Sequence, residues 1–322
     1  MQIVQIQEVF MAQEKVTVGK NTDYPLSGIL CLPDQIDTPV PAAVFVHGSG
    51  SSDMNEHVGG LYPFFDLAEG LMHRGIASLR YDKRSYAHGR KMLKNIHPIT
   101  VYEETIEDAI LAVNMLKNDP RIDPDKVFLI GHSMGAMLAG RIDAEGADCA
   151  GLVMMAGIPF TLDEVLERQI TELAEGSKGL IGWIMRKQLN KIKASFEGLY
   201  EKDPEELKQT KMGGGTTLYY FREMGDHPVS MYLKDNQKPI LIMQGEKDFQ
   251  VRADTDYKAF QEMLGGKDNV TFRLFPGLNH MFVTAKSDRI TDSKNEYKDS
   301  RHIPDNVIQT ISDWIFQCCE AK

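Results

Sequence analysis

The most informative segment of this chain is Lys126-Val-Phe-Leu-Ile-Gly-His-Ser-Met-Gly135. The four consecutive apolar residues Val127–Ile130 predict a short buried strand. Gly131 and Gly135 bracket Ser133, and glycines at such positions permit a tight turn from the strand into a helix. The turn projects the serine hydroxyl clear of the sheet, and the N-terminus of the following helix favours negative charge beside it. Ser133 is therefore a candidate nucleophile.

The alternation of strand, loop and helix continues on both sides of this segment. Short apolar runs recur between patterns typical of amphipathic helices, at Ala42–Val46, Ile76–Tyr81, Cys149–Ala156, Pro239–Met243 and Val270–Phe275. Continuous apolar strands that alternate with helices indicate an α/β protein whose mostly parallel central sheet has helices on both faces. Upstream, the alternating runs within residues 2–32 predict hairpin strands.

A long insertion interrupts this rhythm between Gly157 and Pro239. Its pattern is mostly helical, and a capping box at Thr161–Glu164 opens a helix with one apolar face. We therefore expect residues 1–157 and 237–322 to form one core, with residues 158–236 as a helical lid. The apolar faces of the lid must be buried against something, and we expect Leu166 and Ile170 to contact the acyl part of a substrate.

A serine nucleophile needs a base, and the base needs an orienting acid. His280 comes directly after the last predicted strand, and Asp248 directly after the strand before it. Both therefore fall at the carboxyl ends of strands, the edge where open parallel sheets build their sites. We predict that Ser133, Asp248 and His280 form a catalytic triad, with Glu246 as the rival acid.

The segment His47-Gly-Ser-Gly50 follows the first buried strand and is the candidate oxyanion loop. Its glycines let the backbone approach a substrate carbonyl and point an N–H group at it. We expect the two oxyanion donors to be the backbone N–H groups of Ser49 and Met134. His47 is expected to fix the loop.

Together these motifs resemble the serine esterases of the α/β-hydrolase fold. The similarity is to the branch that looks like acyl-aminoacyl peptidase catalytic domains and dienelactone-hydrolase-like proteins, and it includes the segments Gly75–Arg84 and Gln244–Asp248. It covers roughly residues 41–319. Dienelactone hydrolases carry Cys, and dehalogenases of this fold carry Asp, where this chain has Ser133. The resemblance therefore implies ester hydrolysis through an acyl-enzyme.

The predicted function is the cleavage of carboxylic esters with small or medium acyl groups. Two alternatives stay open on the sequence. The first is an aminopeptidase-like or amide hydrolase that uses the same triad, which would need acidic residues placed to bind a substrate ammonium group. The second is a non-catalytic ligand-binding protein on the same fold.

Composition narrows the partners and the compartment. Lys and Arg number 36 and Asp and Glu number 46, which gives a formal charge of −10. Such a chain is repelled by polyanions, so we expect neither nucleic acid nor a membrane as a partner. The oligomeric state stays open.

The alternating segment Met1–Phe10 predicts a strand and not a secretory signal. Four cysteines, unevenly placed, do not indicate a disulfide framework, so a cytoplasmic setting is expected. The histidines show no metal-binding spacing, and no glycine-rich phosphate loop is present, so we predict no metal and no cofactor. The acidic segment Asp53–Glu56 is expected to be a solvated loop.

Overall fold

The computed structural model describes residues 12–320, and an eight-stranded sheet lies at its centre. The strands are β1 (Ala12–Val18), β2 (Leu26–Leu32), β3 (Val40–Val46), β4 (Ala77–Tyr81), β5 (Ile122–His132), β6 (Leu152–Met155), β7 (Ile240–Gly245) and β8 (Val270–Phe275). Their order in the sheet is β1-β2-β4-β3-β5-β6-β7-β8. The pairs β1–β2 and β2–β4 are antiparallel, and every pair from β4 to β8 is parallel.

Twelve α-helices accompany these strands within residues 12–320. They are α1 (Pro63–Met72), α2 (Arg84–Asn95), α3 (Glu107–Lys117), α4 (Met134–Ile142), α5 (Leu162–Gly176), α6 (Gly179–Phe196), α7 (Pro204–Gln209), α8 (Leu218–Asp226), α9 (Val229–Leu233), α10 (Lys258–Leu264), α11 (Ser293–Glu296) and α12 (Asp305–Glu320). None of the helices in this part of the chain is long and apolar enough to cross a membrane.

Both faces of the sheet are covered, as the apolar strands predict. In β5, the side chains of Val127 and Leu129 lie in one buried cluster, whereas those of Phe128 and Ile130 lie in another. Successive side chains of a strand point to opposite faces, so both faces of β5 need an apolar cover. The prediction of a mostly parallel sheet with helices on both faces is confirmed.

Some elements differ from the sequence prediction. Helix α2 has no apolar stripe, because Met92 is its one buried apolar side chain, and the periodicity gave no sign of it. The N–H of Thr100 donates to the Glu103 carboxylate (2.9 Å), and the helix after it starts with a wider π-helical turn before α3. The strand predicted within Met1–Phe10 lies outside the described residues.

The segment between β6 and β7 carries α5 to α9 and links two strands that pair side by side in parallel. Helix α5 starts where predicted, and the N–H of Thr161 donates to the Glu164 carboxylate (3.1 Å). Helix α9 packs on α4, where a Cβ on Gly140 would lie 2.6 Å from Leu233. Because β5, β6 and β7 are neighbours, this segment leaves the sheet beside the turn that carries Ser133.

Candidate active site

The turn between β5 and α4 holds Ser133 in a strained backbone conformation, with φ +53° and ψ −116°. A Cβ on Gly131 would lie 2.4 Å from the carbonyl oxygen of Gly135, and one on Gly135 would lie 2.1 Å from that of Val46. Both positions therefore require glycine. Positive φ at a non-glycine residue costs roughly 1–3 kcal/mol and is retained where the surroundings enforce it. Here the N–H of Ser133 donates to the carbonyl of Met155 (2.9 Å).

Asp248 and His280 meet directly at the carboxyl ends of β7 and β8. Nδ1 of His280 lies 2.7 Å from Oδ2 of Asp248, and both side chains are buried. Oδ1 of Asp248 accepts the N–H groups of Gln250 (2.8 Å) and Val251 (2.9 Å), and Oδ2 also accepts from Nε2 of Gln244 (2.9 Å). These bonds fix the carboxylate and engage Nδ1, so Nε2 is the nitrogen of His280 that Asp248 leaves free.

The rival acid lies elsewhere. Glu246 is exposed, and its carboxylate accepts the N–H of Gly277 (3.0 Å). Of the two candidate acids, Asp248 is the one whose carboxylate contacts His280.

Ser133 and His280 line the same cavity of about 200 Å³, which we call the nucleophile cleft. Gly48 and Ser49 of the predicted oxyanion loop also line it. Met134, the other predicted oxyanion residue, is the first residue of α4 and is buried. The predicted nucleophile, base and oxyanion loop are therefore brought together.

A larger cavity of about 450 Å³, the apolar pocket, adjoins the cleft and shares Ser49 and Ser51 with it. Its wall includes apolar side chains from α2, α4, α5 and α8, namely Met92, Leu93, Met134, Leu162, Tyr220 and Phe221. Glu104 is the charged residue in its lining. An apolar cavity of this size with a few polar groups is suited to a small organic ligand.

The two lid residues predicted to contact substrate do not line the apolar pocket. Leu166 and Ile170 lie farther along α5, and Leu166 packs against the buried core. Leu162, in the first turn of the same helix, lines the pocket instead. The 3.6-residue period identifies the apolar face of a helix, but not which turn of that face meets a cavity.

A buried polar network lies behind the cleft, in place of the solvated loop expected at Asp53–Glu56. Glu56 is 4% exposed, and its Oε1 accepts the N–H of Gly48 (2.7 Å). Oε2 of Glu56 lies 2.9 Å from Nδ1 of His132, and Nε2 of His132 lies 3.0 Å from the carbonyl oxygen of His280. The expectation for Glu56 was wrong, because a single carboxylate in a polar loop gives no sign in the sequence of a partner 76 residues away.

Ionisation of the pair follows from its burial and its charges. Burial opposes the charged form of His132, but the Glu56 carboxylate outweighs it and raises the pKa of the imidazole. Burial also opposes the charged form of Glu56, but His132 outweighs it and lowers the pKa of the carboxyl. Both shifts favour the charged forms of the two side chains, whose Oε2 and Nδ1 atoms lie 2.9 Å apart.

Lys83 and His47 contact the predicted oxyanion loop and the segment that follows it. Nζ of Lys83 donates to the carbonyl of Gly48 (2.9 Å) and lies 3.2 Å from Oε1 of Glu104. Nε2 of His47 lies 2.9 Å from the carbonyl oxygen of Asp53. Burial lowers the pKa of His47 to about 4, so its ring is neutral at pH 7.

No group of three or more His, Cys, Asp or Glu side chains that could hold a metal ion occurs within residues 12–320.

The strand order, the strained serine turn and the helical cover on both faces define an α/β-hydrolase fold. Est1E from Butyrivibrio proteoclasticus has the same fold, with a TM-score of 0.59 and 17% identity, over 96% of this chain and 99% of that one. So does a dienelactone hydrolase from Anabaena variabilis, with a TM-score of 0.54 and 16% identity, over 95% of this chain and 98% of that one.

The particular family follows from sequence. Residues 38–287 match the family described as serine aminopeptidase, S33, and the chain belongs to it. A curated relative, Esterase EstD from Thermotoga maritima, is 33% identical over 279 residues, which make up 86% of this chain. The chain spans 62% of the length of that relative. The predicted resemblance to α/β-hydrolase serine enzymes is confirmed.

Proposed function

We propose that this protein is a serine hydrolase that cleaves carboxylic esters through an acyl-enzyme. The observation that carries the proposal is the contact of Asp248 with His280 (2.7 Å) in the same cleft as the strained Ser133. The similarity to Esterase EstD supports it.

In the proposed mechanism, Ser133 Oγ attacks the ester carbonyl while Nε2 of His280 takes its proton. Asp248 holds the ring with Nδ1–H directed at its carboxylate and stabilises the imidazolium that forms. The N–H groups of Ser49 and Met134 bind the developing oxyanion. His280 then protonates the leaving alcohol, and a water molecule, activated by the same ring, releases the acid.

We assign the acyl group to the apolar pocket. Its volume of about 450 Å³ and its aliphatic and aromatic walls match a small or medium acyl chain. A third cavity, lined by Phe249, Gln250, Lys294 and Tyr297, shares Gln250 and Tyr297 with the nucleophile cleft. This more polar side is the proposed exit for the alcohol.

Ester substrates fit these cavities better than free N-terminal peptides do. An aminopeptidase needs a carboxylate available for the substrate ammonium group. Glu104 in the apolar pocket is paired with Lys83 (3.2 Å) and accepts the Tyr220 hydroxyl (2.7 Å). Glu56 in the cleft is paired with His132 (2.9 Å). These are the carboxylates that line the three cavities, and each already has a basic side chain as its partner.

The substrate class is tested with matched chromogenic substrates. Nitrophenyl esters of two to twelve carbons and nitroanilides of free amino acids are compared by kcat/KM, with Ser133→Ala as the blank. We expect hydrolysis of the esters, with an optimum at short or medium chains. Faster cleavage of the aminoacyl anilides would show that the protein is a peptidase. If neither set is turned over in a Ser133-dependent way and fluorophosphonate does not label the protein, a ligand-binding function would be supported instead.

We also propose that residues 158–236 act as a lid that selects the acyl chain without supplying chemistry. This segment contributes four residues to the lining of the apolar pocket, namely Leu162, Thr216, Tyr220 and Phe221. The three residues of the proposed triad all lie outside residues 158–236. A cover of this kind excludes water, which strengthens the oxyanion hydrogen bonds.

Replacing Leu162 by Ala is expected to lengthen the preferred acyl chain. The truncation enlarges the pocket, and one methylene in an apolar pocket changes kcat/KM by roughly 10-fold or more. Leu166→Ala is the matched control, because Leu166 is a leucine of the same helix, also half-buried, that does not line the pocket. Acyl-length profiles of the two variants check this. If only Leu166→Ala changed the preferred acyl length, the acyl group would contact Leu166, as predicted from the sequence, and not Leu162.

A further inference from the structure

Helix α6 exposes a cluster of large apolar side chains. Four large apolar side chains in its first turns are exposed: Leu180 (72%), Ile181 (64%), Trp183 (56%) and Ile184 (41%). The inward side of the helix is covered by α5, and Phe196 packs on Phe221 (4.9 Å between ring centroids), a residue of the apolar pocket. The apolar side chains of the first turns are therefore additional to those that hold the helix in place.

The charge of this helix opposes that of the whole chain. Residues 177–196 contain five cations, Lys178, Arg186, Lys187, Lys191 and Lys193, and no Asp or Glu, in a protein of net charge −10. Lys187 and Lys191 follow Trp183 and Ile184 along the same face, and Nζ of Lys187 lies 5.6 Å from the Trp183 ring centre. Exposed tryptophan and aliphatic residues beside a run of cations are typical of helices that lie in a membrane interface.

We propose that α6 docks this protein on an anionic lipid surface, with Trp183 and its apolar neighbours in the interface and the lysines against the lipid phosphates. A second copy of the chain fits this face less well. A two-fold contact would bring the five cations of one copy against the same five of the other, and facing like charges oppose association. The net charge of −10 predicts repulsion of the whole chain from such membranes. Electrostatic interactions are screened beyond about one Debye length, however, so attraction near the surface depends on the charge of the helix that faces it.

Co-sedimentation of the full chain with vesicles tests the proposal. We expect binding to phosphatidylcholine vesicles that contain phosphatidylglycerol, little binding to phosphatidylcholine alone, and release at high salt. Lys187→Glu/Lys191→Glu should weaken binding by roughly 20-fold or more, because each lysine near an anionic surface contributes about fivefold. Lys258→Glu/Lys298→Glu, with the same change of net charge on exposed side chains elsewhere, should leave binding largely intact.

Tryptophan emission gives a second readout. The chain has two tryptophans, and Trp314 is buried at 7% exposure. A blue shift on anionic vesicles should therefore come from Trp183 and disappear in Trp183→Ala. Equal binding to both vesicle types, or unchanged binding in the α6 variants, would overturn the proposal. So would a dimer in light scattering that Trp183→Ala dissociates, since the face would then belong to an interface between copies.

A different observation carries a second inference, which rests on the proposed function. The chain of contacts Gly48–Glu56–His132–His280 links the oxyanion loop to the loop of the base through one buried carboxylate and one buried imidazole. Glu56 is also one of the non-glycine residues with positive φ (+53°), like Ser133. Strain retained at a buried polar residue beside a reactive site indicates a constraint beyond packing.

We infer that Glu56 and His132 are positioning residues that hold the Ser49 N–H and the His280 ring at a fixed separation. The groups that face the pair are His47, Lys83, Asp248 and His280, through their charge or through contacts described above. Neither member needs to touch the substrate ester. Their role is to hold the oxyanion loop and the loop of His280 at fixed positions relative to each other, because an N–H donor displaced from the oxyanion loses most of its effect.

Glu56→Gln tests this role. We expect kcat per active site, counted by fluorophosphonate titration, to fall by about 10- to 100-fold while KM changes little. Asp108→Asn, which breaks the buried pair between Arg84 of α2 and Asp108 of α3, is the matched control and should lower stability with kcat per active site unchanged. A kcat within twofold of wild type in Glu56→Gln would overturn the inference.

The pH dependence of stability gives an independent readout. The raised pKa of His132 stabilises the fold below pH 6.5 and loses this effect as pH rises through the folded-state value. The lowered pKa of Glu56 stabilises the fold above pH 4.5 and loses this effect as pH falls. The stability difference between wild type and Glu56→Gln should therefore be largest between pH 4.5 and 6.5. A difference that does not vary with pH would show that the two side chains are not an ion pair.

Discussion

Replacing Ser133 by Ala is expected to lower kcat by about 10⁴- to 10⁶-fold, because the chain then lacks the oxygen that forms the acyl-enzyme. The fold should persist, since Ala has fewer atoms than Ser and the backbone N–H that bonds to Met155 remains. His280→Ala should produce a similar loss. The double variant should be no slower than either single one, because residues that act as a unit are not additive.

Steady-state kinetics, fluorophosphonate labelling and circular dichroism together check this result. Ser312→Ala serves as the control, since Ser312 is a buried serine on α12 whose hydroxyl donates to a helix carbonyl. If Ser133→Ala kept more than a few per cent of the rate with a native spectrum, another nucleophile would have to act.

Asp248→Asn is expected to lower kcat by about 10⁴-fold through the tautomer of His280. Oδ1 of Asp248 accepts two backbone N–H groups, from Gln250 and Val251, so the amide oxygen of Asn takes that place. The amide nitrogen must then occupy the position of Oδ2 and donate to Nδ1 of His280. The ring would carry its proton on Nε2, the atom that must accept the proton of Ser133.

Glu246→Gln is the control for this variant and should stay within a few-fold of wild type, because Glu246 contacts Gly277 and not the base. Both rates are measured with the best ester of the chromogenic set. An active Asp248→Asn beside an inactive Glu246→Gln would falsify the assignment of the acid.

The sequence predicts the sheet and the positions of Ser133, Asp248 and His280 because these features depend on local patterns. The run Val127–Ile130 is apolar since both faces of β5 are covered, and the glycines around Ser133 are required by backbone contacts. Asp248 and His280 could be placed because carboxyl ends of parallel strands share one edge.

The contacts that the sequence does not predict depend on distant partners. Helix α2 supplies Met92 and Leu93 to the apolar pocket, yet its polar sequence has no helical stripe. Leu162 and Leu166 lie on one helix, and only the packing of α5 decides which of them reaches the pocket. The carboxylate of Glu56 is buried because the predicted oxyanion loop and His132, which lies 76 residues away in the sequence, both contact it.

The parallel pairing of β6 with β7 has a consequence for how this protein can be shortened or recombined. A chain that leaves the carboxyl end of one strand must return to the amino end of its parallel neighbour. Part of residues 158–236 is therefore needed as the crossover connection between β6 and β7. Helix α9, packed on α4 at Gly140, is the piece that completes this return. Helices α5 and α6 are additional to the connection, so a graft from a relative can exchange them and leave the strand order untouched. Under the proposed lid function, substrate range can therefore diverge through exchange of α5 and α6, which supply no strand to the sheet.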